Sequence, residues 1–89
     1  MELNIDQALK QGVVAHKEGK LQDAERLYRA ILQAQPNPPD VHHNLGVLAV
    51  SVGKSLDAVP LFKLAFEANP RVEQFWLSYI DSVLKVERF

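Results

Sequence analysis

The sequence predicts an all-α fold of five helices, and three observations support this prediction. Apolar residues recur every three or four positions along most of the 89-residue chain, a spacing that places them on one face of a helix. No stretch shows the strict alternation of apolar and polar residues that is typical of a half-buried strand. The same landmark residues also return at one fixed interval, which indicates a chain built from repeated helical pairs.

Composition narrows the class of protein. A net charge of −1 with 24% charged and 47% hydrophobic residues describes one small globular domain. It lacks the basic excess that binding to nucleic acid requires. The absence of cysteine excludes disulfides and thiolate metal sites. No apolar run approaches the roughly 20 residues that cross a bilayer, and the first residues lack the pattern of a signal peptide. We therefore expect a cytoplasmic protein that binds neither nucleic acid nor membrane.

The first two helices have recognisable ends. Asn4 is expected to cap the first helix, because its side chain can accept a hydrogen bond from an amide of the first turn. Gly19 is expected to end this helix, since glycine adopts the left-handed backbone of a helix C-terminus without strain. In the second helix Glu25 precedes Arg29 by four residues, which predicts a surface ion pair. Pro36 is expected to end this helix.

The third helix is expected to start at Asn37 and Pro38, because proline suits the first helical turn. Asp40 then lies where the positive end of the helix dipole favours a carboxylate. Gly53 is expected to end the helix, as Gly19 ends the first.

The last two helices follow a tight turn. Ser55 is expected to cap the fourth helix. Pro60 falls inside it, where the missing amide removes one backbone hydrogen bond, and Pro70 is expected to end it. The fifth helix is apolar from Val72 onwards, and its sequence shows no stop signal before Phe89.

An internal repeat organises the chain. Residues of similar type lie 34 positions apart in five pairs: Gly12 and Gly46, Gly19 and Gly53, Ala24 and Ala58, Tyr28 and Phe62, Pro36 and Pro70. This interval and these residue types match a helical-pair repeat with the pattern W-x2-L-G-x2-Y, then A-x3-F, then P. On these residues the chain resembles the tetratricopeptide repeat (TPR) family. The resemblance covers a single domain, 1–89, with repeats at about 5–38 and 39–72 and a partial repeat or capping helix at 73–89.

The resemblance implies an α-α superhelix of five antiparallel helices. Each helical pair has an apolar face that it cannot bury alone, so neighbouring pairs stack. Tyr28, Phe62 and Trp76 are expected to fill the gaps to the next repeat, so that Phe62 and Trp76 are shielded from water. Ile80 departs from the family pattern, which has a small glycine there. In this family the first helices of successive repeats line a concave face that usually binds a peptide or helix of a partner.

The repeat register identifies the candidate partner surface. Residues that this register places on the concave face are Leu9, Val13, His16, His43, Asn44, Val47, Val50, Leu77, Asp81 and Leu84. Several are apolar, and contiguous exposed apolar area often marks an interaction site that can accept an amphipathic helix. The alternative is that their own neighbours cover these side chains. Only Asn44 matches the clamp with which some family members grip a terminal carboxylate, so that ligand is not expected.

Metal binding and catalysis are not expected. His42 and His43 are adjacent in a helix and point about 100° apart, so they cannot chelate one ion together. No Cys or Glu cluster completes a tetrahedral site. Motifs for phosphate binding, nucleophilic serine or zinc hydrolysis are absent from the sequence. We therefore predict a non-catalytic protein-interaction module without a cofactor.

Two alternatives remain open. The fifth helix is apolar on more than one side, which predicts self-association or helix exchange through Phe75, Trp76, Tyr79, Ile80 and Val83. The other explanation for this apolar surface is that the natural protein continues beyond Phe89. In addition, the stretch 75–81 after Asn69 and Pro70 is similar to amino-terminal repeat segments of large bacterial proteins. Those segments often precede a glycosyltransferase or methyltransferase domain, so the chain could be the arm of a larger bacterial transferase.

Overall fold

Five α-helices form the fold in the computed structural model, which describes residues 4–35 and 38–87. In chain order they are α1 (Ile5–Lys17), α2 (Leu21–Ala34), α3 (Pro39–Ser51), α4 (Ser55–Ala68) and α5 (Glu73–Glu87). Neither described range contains a strand. The prediction of an all-α fold with five helices is therefore confirmed for these residues.

Helices that are adjacent in sequence pack against each other, with α1 on α2, α3 on α4 and α4 on α5. The turns between α1 and α2 and between α3 and α4 each contain three residues, 18–20 and 52–54. Three residues span only about 10 Å, whereas a helix of 13 residues is about 20 Å long. The two helices of each pair must therefore run in opposite directions.

The two turns share one backbone geometry. Gly19 and Gly53 both have a φ of 80°, in the left-handed region that costs glycine no strain. After each glycine, the amide of the next residue, Lys20 or Lys54, donates to a helical carbonyl five residues back at 2.8 Å. This bond satisfies a carbonyl that the helix end leaves without a partner. The predicted helix ends at both glycines are confirmed.

The helix starts agree with the sequence only in part. Asn4 caps α1 as predicted, because its Oδ1 accepts from the backbone amide of Gln7 at 3.1 Å. The prediction that Ser55 caps α4 is wrong. Lys54 occupies the cap position with φ −104° and makes no side-chain cap bond. The backbone becomes helical directly after Lys54, so Ser55 already belongs to the first turn of the helix.

Prolines mark the remaining boundaries. The third helix begins at Pro39, with Pro38 as its non-helical cap, so it starts one residue later than expected; Asn37 and Pro36 lie outside the described residues. Pro60 lies inside α4, which ends at Ala68, two residues before Pro70.

On the surface of α2 the predicted ion pair of Glu25 and Arg29 is present at 2.9 Å.

Each helical pair is held by an aromatic ring that lies on a glycine. A Cβ atom built at Gly12 would lie 2.5 Å from Cε1 of Tyr28, and one built at Gly46 would lie 2.5 Å from Cε1 of Phe62. Real Cβ contacts are longer, so only glycine permits this approach. Both rings are buried. The same contact therefore closes both pairs, and the five helices form a repeat-like arrangement.

The expectation that these aromatic side chains are shielded from water is confirmed for Phe62, which lies on Gly46 of its own helical pair, but is wrong for Trp76. Phe62 is 4% exposed, whereas Trp76 is 47% exposed. Trp76 lies 34 residues after the buried His42. In α1 and α3 the corresponding side of the helix faces the second helix of the same pair. Within the described ranges no helix follows α5, and Trp76 is exposed to solvent.

Candidate partner-binding surface

Two hollows lie on the face formed by α1, α3 and α5, which we call the inner face. The first lies between α1 and α3 and has a volume of about 510 Å³. The second lies between α3 and α5 and has a volume of about 270 Å³. Predicted surface residues that line the first are Leu9, Val13, His43 and Asn44. Those that line the second are Val47, Val50 and Asp81. The repeat register thus brings most of the predicted residues together at two neighbouring depressions.

The other three predicted residues lie beside the hollows. His16 is half-buried on α1. Leu77 and Leu84 are exposed on α5, at positions seven residues apart that share one side of the helix. They line neither hollow. The apolar area of the inner face therefore extends onto the outer side of α5.

The apolar side chains of the inner face divide into two groups. Val47 is exposed, as are Leu77 and Leu84. Leu9 and Val50 are half-buried, so neighbouring residues cover part of their surface. The alternative interpretation, that neighbouring residues cover these side chains, therefore applies to the half-buried group.

His43 joins three helices at the floor of the inner face. Its Nε2 lies 2.8 Å from Oγ of Ser78, which connects α3 to α5. Its ring centroid lies 5.3 Å from that of Phe62 on α4 and 5.1 Å from that of Phe75 on α5. Gln74 also donates to Oγ of Ser78, at 3.1 Å. The sequence predicted a groove residue at position 43 but not this contact, since the two partners are 35 positions apart.

Burial controls the charge of His43. It lowers the pKa of the imidazole below its ordinary value of 6.5, because a charged ring loses hydration there. The side-chain hydrogen bond of Asn44 and the carboxylate of Asp40 raise the pKa and offset only part of this effect. His43 is therefore neutral at neutral pH, and a neutral ring can remain packed between Phe62 and Phe75.

Charges on the inner face are balanced. Lys10 and Asp40 both line the first hollow. Asp81 and Lys85 both line the second hollow and form an ion pair at 3.2 Å. Each hollow thus carries one acid and one base. Neither hollow presents a field that would select a strongly charged ligand.

The residues predicted for self-association separate into buried and exposed members. Phe75 is 4% exposed, and its ring packs on His43, so it cannot form part of a contact surface. Tyr79 is half-buried, with its ring stacked on Phe66 of α4 at 6.0 Å. Val83 is half-buried as well. Trp76 and Ile80 are exposed. The open side of α5 is therefore narrower than predicted, because residues of both α3 and α4 cover part of the helix surface.

Other kinds of site were also sought. In residues 4–35 and 38–87, no group of three or more His, Cys, Asp or Glu side chains could hold a metal ion. His42 is buried. None of the five described helices combines the length and the apolar character needed to cross a bilayer.

Comparison with known proteins adds no assignment. The scan against models of protein families matches no family to this chain, and the search of curated proteins finds no relative.

Proposed function

We propose that this chain is a non-catalytic protein-interaction module that holds an amphipathic helix or peptide of a partner on its inner face. The observation that carries the proposal is the alignment of two hollows along one face, with apolar side chains in both. The 34-residue repeat supports it as well, because stacked TPR helices in a superhelix would make this face concave.

The lining determines what kind of segment would fit. Leu9 and Val13 supply apolar area in the first hollow, and Val47 and Val50 supply it in the second. A helix that docks in such a groove presents apolar residues at positions i, i+3, i+4 and i+7. Because each hollow carries balanced charges, apolar burial and not charge would provide the affinity. We therefore expect binding at this face to change little with salt.

The test uses a synthetic amphipathic helix whose polar positions are neutral. Val47→Lys places a charge in the second hollow, and we expect it to weaken binding by about 10-fold, since a desolvated apolar contact is worth about 1.5 kcal/mol. Leu64→Lys is the matched control, because Leu64 is similarly exposed but lies on α4, outside the inner face. Titration calorimetry measures both affinities.

Two results would overturn the proposal. One is the absence of binding by the unaltered chain. The other is an equal loss of affinity in the Val47→Lys and Leu64→Lys variants, which would show that the peptide binds without using the inner face. Circular dichroism confirms that each variant keeps its helices.

A further inference from the structure

The outer side of α5 carries a second apolar surface, which we call the end face. Trp76, Ile80 and Leu84 follow one another at intervals of four residues, so they lie on one side of the helix. Their exposed fractions are 47%, 39% and 52%. Three large apolar side chains on consecutive turns form a stripe that no described helix covers.

The repeat shows that this face occupies the position of a helix contact. Ile80 lies 34 residues after Gly46, and Gly46 is the residue on which Phe62 of α4 packs. Ile80 has a branched side chain at that place. A helix on the end face therefore cannot approach as closely as α4 approaches α3. Its side chains must instead interlock with those of Trp76, Ile80 and Leu84, at the wider spacing that large residues impose.

Acidic residues stand at both ends of this stripe. Glu73, Ile80 and Glu87 are separated by seven residues each, so they share one position of a heptad. The two carboxylates are about 21 Å apart along the helix. Among the described residues neither glutamate forms an ion pair with a cation. Lys85, the basic residue of the same helix, pairs with Asp81 instead.

A second copy of the chain fits this pattern poorly. Antiparallel pairing about Ile80 would place Glu73 of one copy opposite Glu87 of the other. Parallel pairing would place each glutamate opposite its own equivalent. Both arrangements bring like charges together at the two ends of the seam, which is unfavourable. Arg71 precedes α5 and lies outside the helical seam, and Arg88 lies outside the described residues.

We propose that the end face docks an amphipathic helix of another protein, in which Lys or Arg brackets an apolar heptad stripe at both ends. Basic side chains of the partner would pair with Glu73 and Glu87, and its apolar residues would interlock with Trp76 and Ile80. A contact to a single helix of about 22 Å lies at the small end of specific interfaces, so the complex is reversible. This surface borders the inner face at Leu84 but lines neither of its hollows, and its binding would weaken with salt.

The experiment uses Trp76 as its reporter, because it is the single tryptophan of the chain. Two helical peptides share one apolar heptad stripe, and one is bracketed by lysines while the other is bracketed by glutamates. We expect the lysine peptide to shift Trp76 emission to the blue and to bind at least about 10-fold more tightly. The double variant with Glu73→Lys and Glu87→Lys should reverse this preference. Both changes are on exposed residues, so the fold is retained.

Matched variants separate the two surfaces. Ile80→Glu should abolish binding of the lysine peptide, whereas Leu64→Glu should leave it unchanged. Val47→Lys on the inner face should also leave binding of the lysine peptide unchanged. The proposal for the end face can therefore be refuted without refuting the proposal for the inner face. Equal affinity for the two peptides, or no change in Trp76 emission, overturns the proposal. A concentration-dependent dimer with Trp76 already shielded also overturns it, because a second copy would then be the occupant.

Discussion

Replacing Gly46 by alanine tests the close approach of α3 and α4. On helix propensity alone this change stabilises, because alanine favours a helix interior by about 1 kcal/mol over glycine. The tertiary contact acts in the opposite direction. The new Cβ would lie 2.5 Å from Cε1, 2.7 Å from Cδ1 and 2.8 Å from Cζ of Phe62. These distances are too short, so the ring or the helix must move.

The surroundings of Phe62 determine how much the movement costs. The ring is 4% exposed, and its centroid lies 5.3 Å from that of the His43 ring, so it cannot move without disturbing this contact. Overpacking of this kind typically costs about 1–3 kcal/mol. After subtraction of the propensity gain of about 1 kcal/mol, we expect the Gly46→Ala variant to lose about 0–2 kcal/mol of unfolding free energy.

Urea denaturation measures this difference as a shift of the midpoint with an unchanged slope. In a Phe62→Leu background the ring is absent, so Gly46→Ala should become neutral or stabilising. The coupling in this double-mutant cycle should then reach about 1 kcal/mol or more. If Gly46→Ala alone raises the unfolding free energy by about 1 kcal/mol, the close approach does not exist and the reasoning is wrong.

Further predictions concern the junction at His43. The pKa of His43 is lowered in the folded chain. Above about pH 6.5 the imidazole is neutral in both the folded and the unfolded chain. As the pH falls, the imidazole of the unfolded chain takes up a proton first. Stability should therefore decrease from about pH 6.5 towards the folded pKa, and thermal unfolding of His43→Gln should show a flatter profile; identical profiles would contradict this. Ser78→Ala removes the 2.8 Å contact and should cost about 1 kcal/mol, whereas Gln74→Ala, on the exposed side, should cost less in the same urea titration.

The sequence by itself determined the local structure. Gly19 and Gly53 predict the two tight turns because only glycine adopts a φ of 80° without strain. The cap at Asn4 can be predicted from the sequence because its hydrogen bond joins residues only three positions apart. The interval of 34 residues predicts which side chains share the inner face, since equal positions in equal helical pairs point the same way. The cap position of α4 could not be predicted in the same way, because it depends on the residue at which the backbone becomes helical again after Gly53.

Only the tertiary structure decided how the helix surfaces are shared. The apolar pattern of α5 could not tell that Phe75 is buried and Trp76 exposed, because that depends on how far α4 and α3 wrap around the helix. Nor could it reveal the contact of His43 with Ser78, which joins residues that are distant in sequence. Periodicity shows that a face is apolar. Which apolar face meets a neighbour, and which stays open to a partner, depends on contacts between helices.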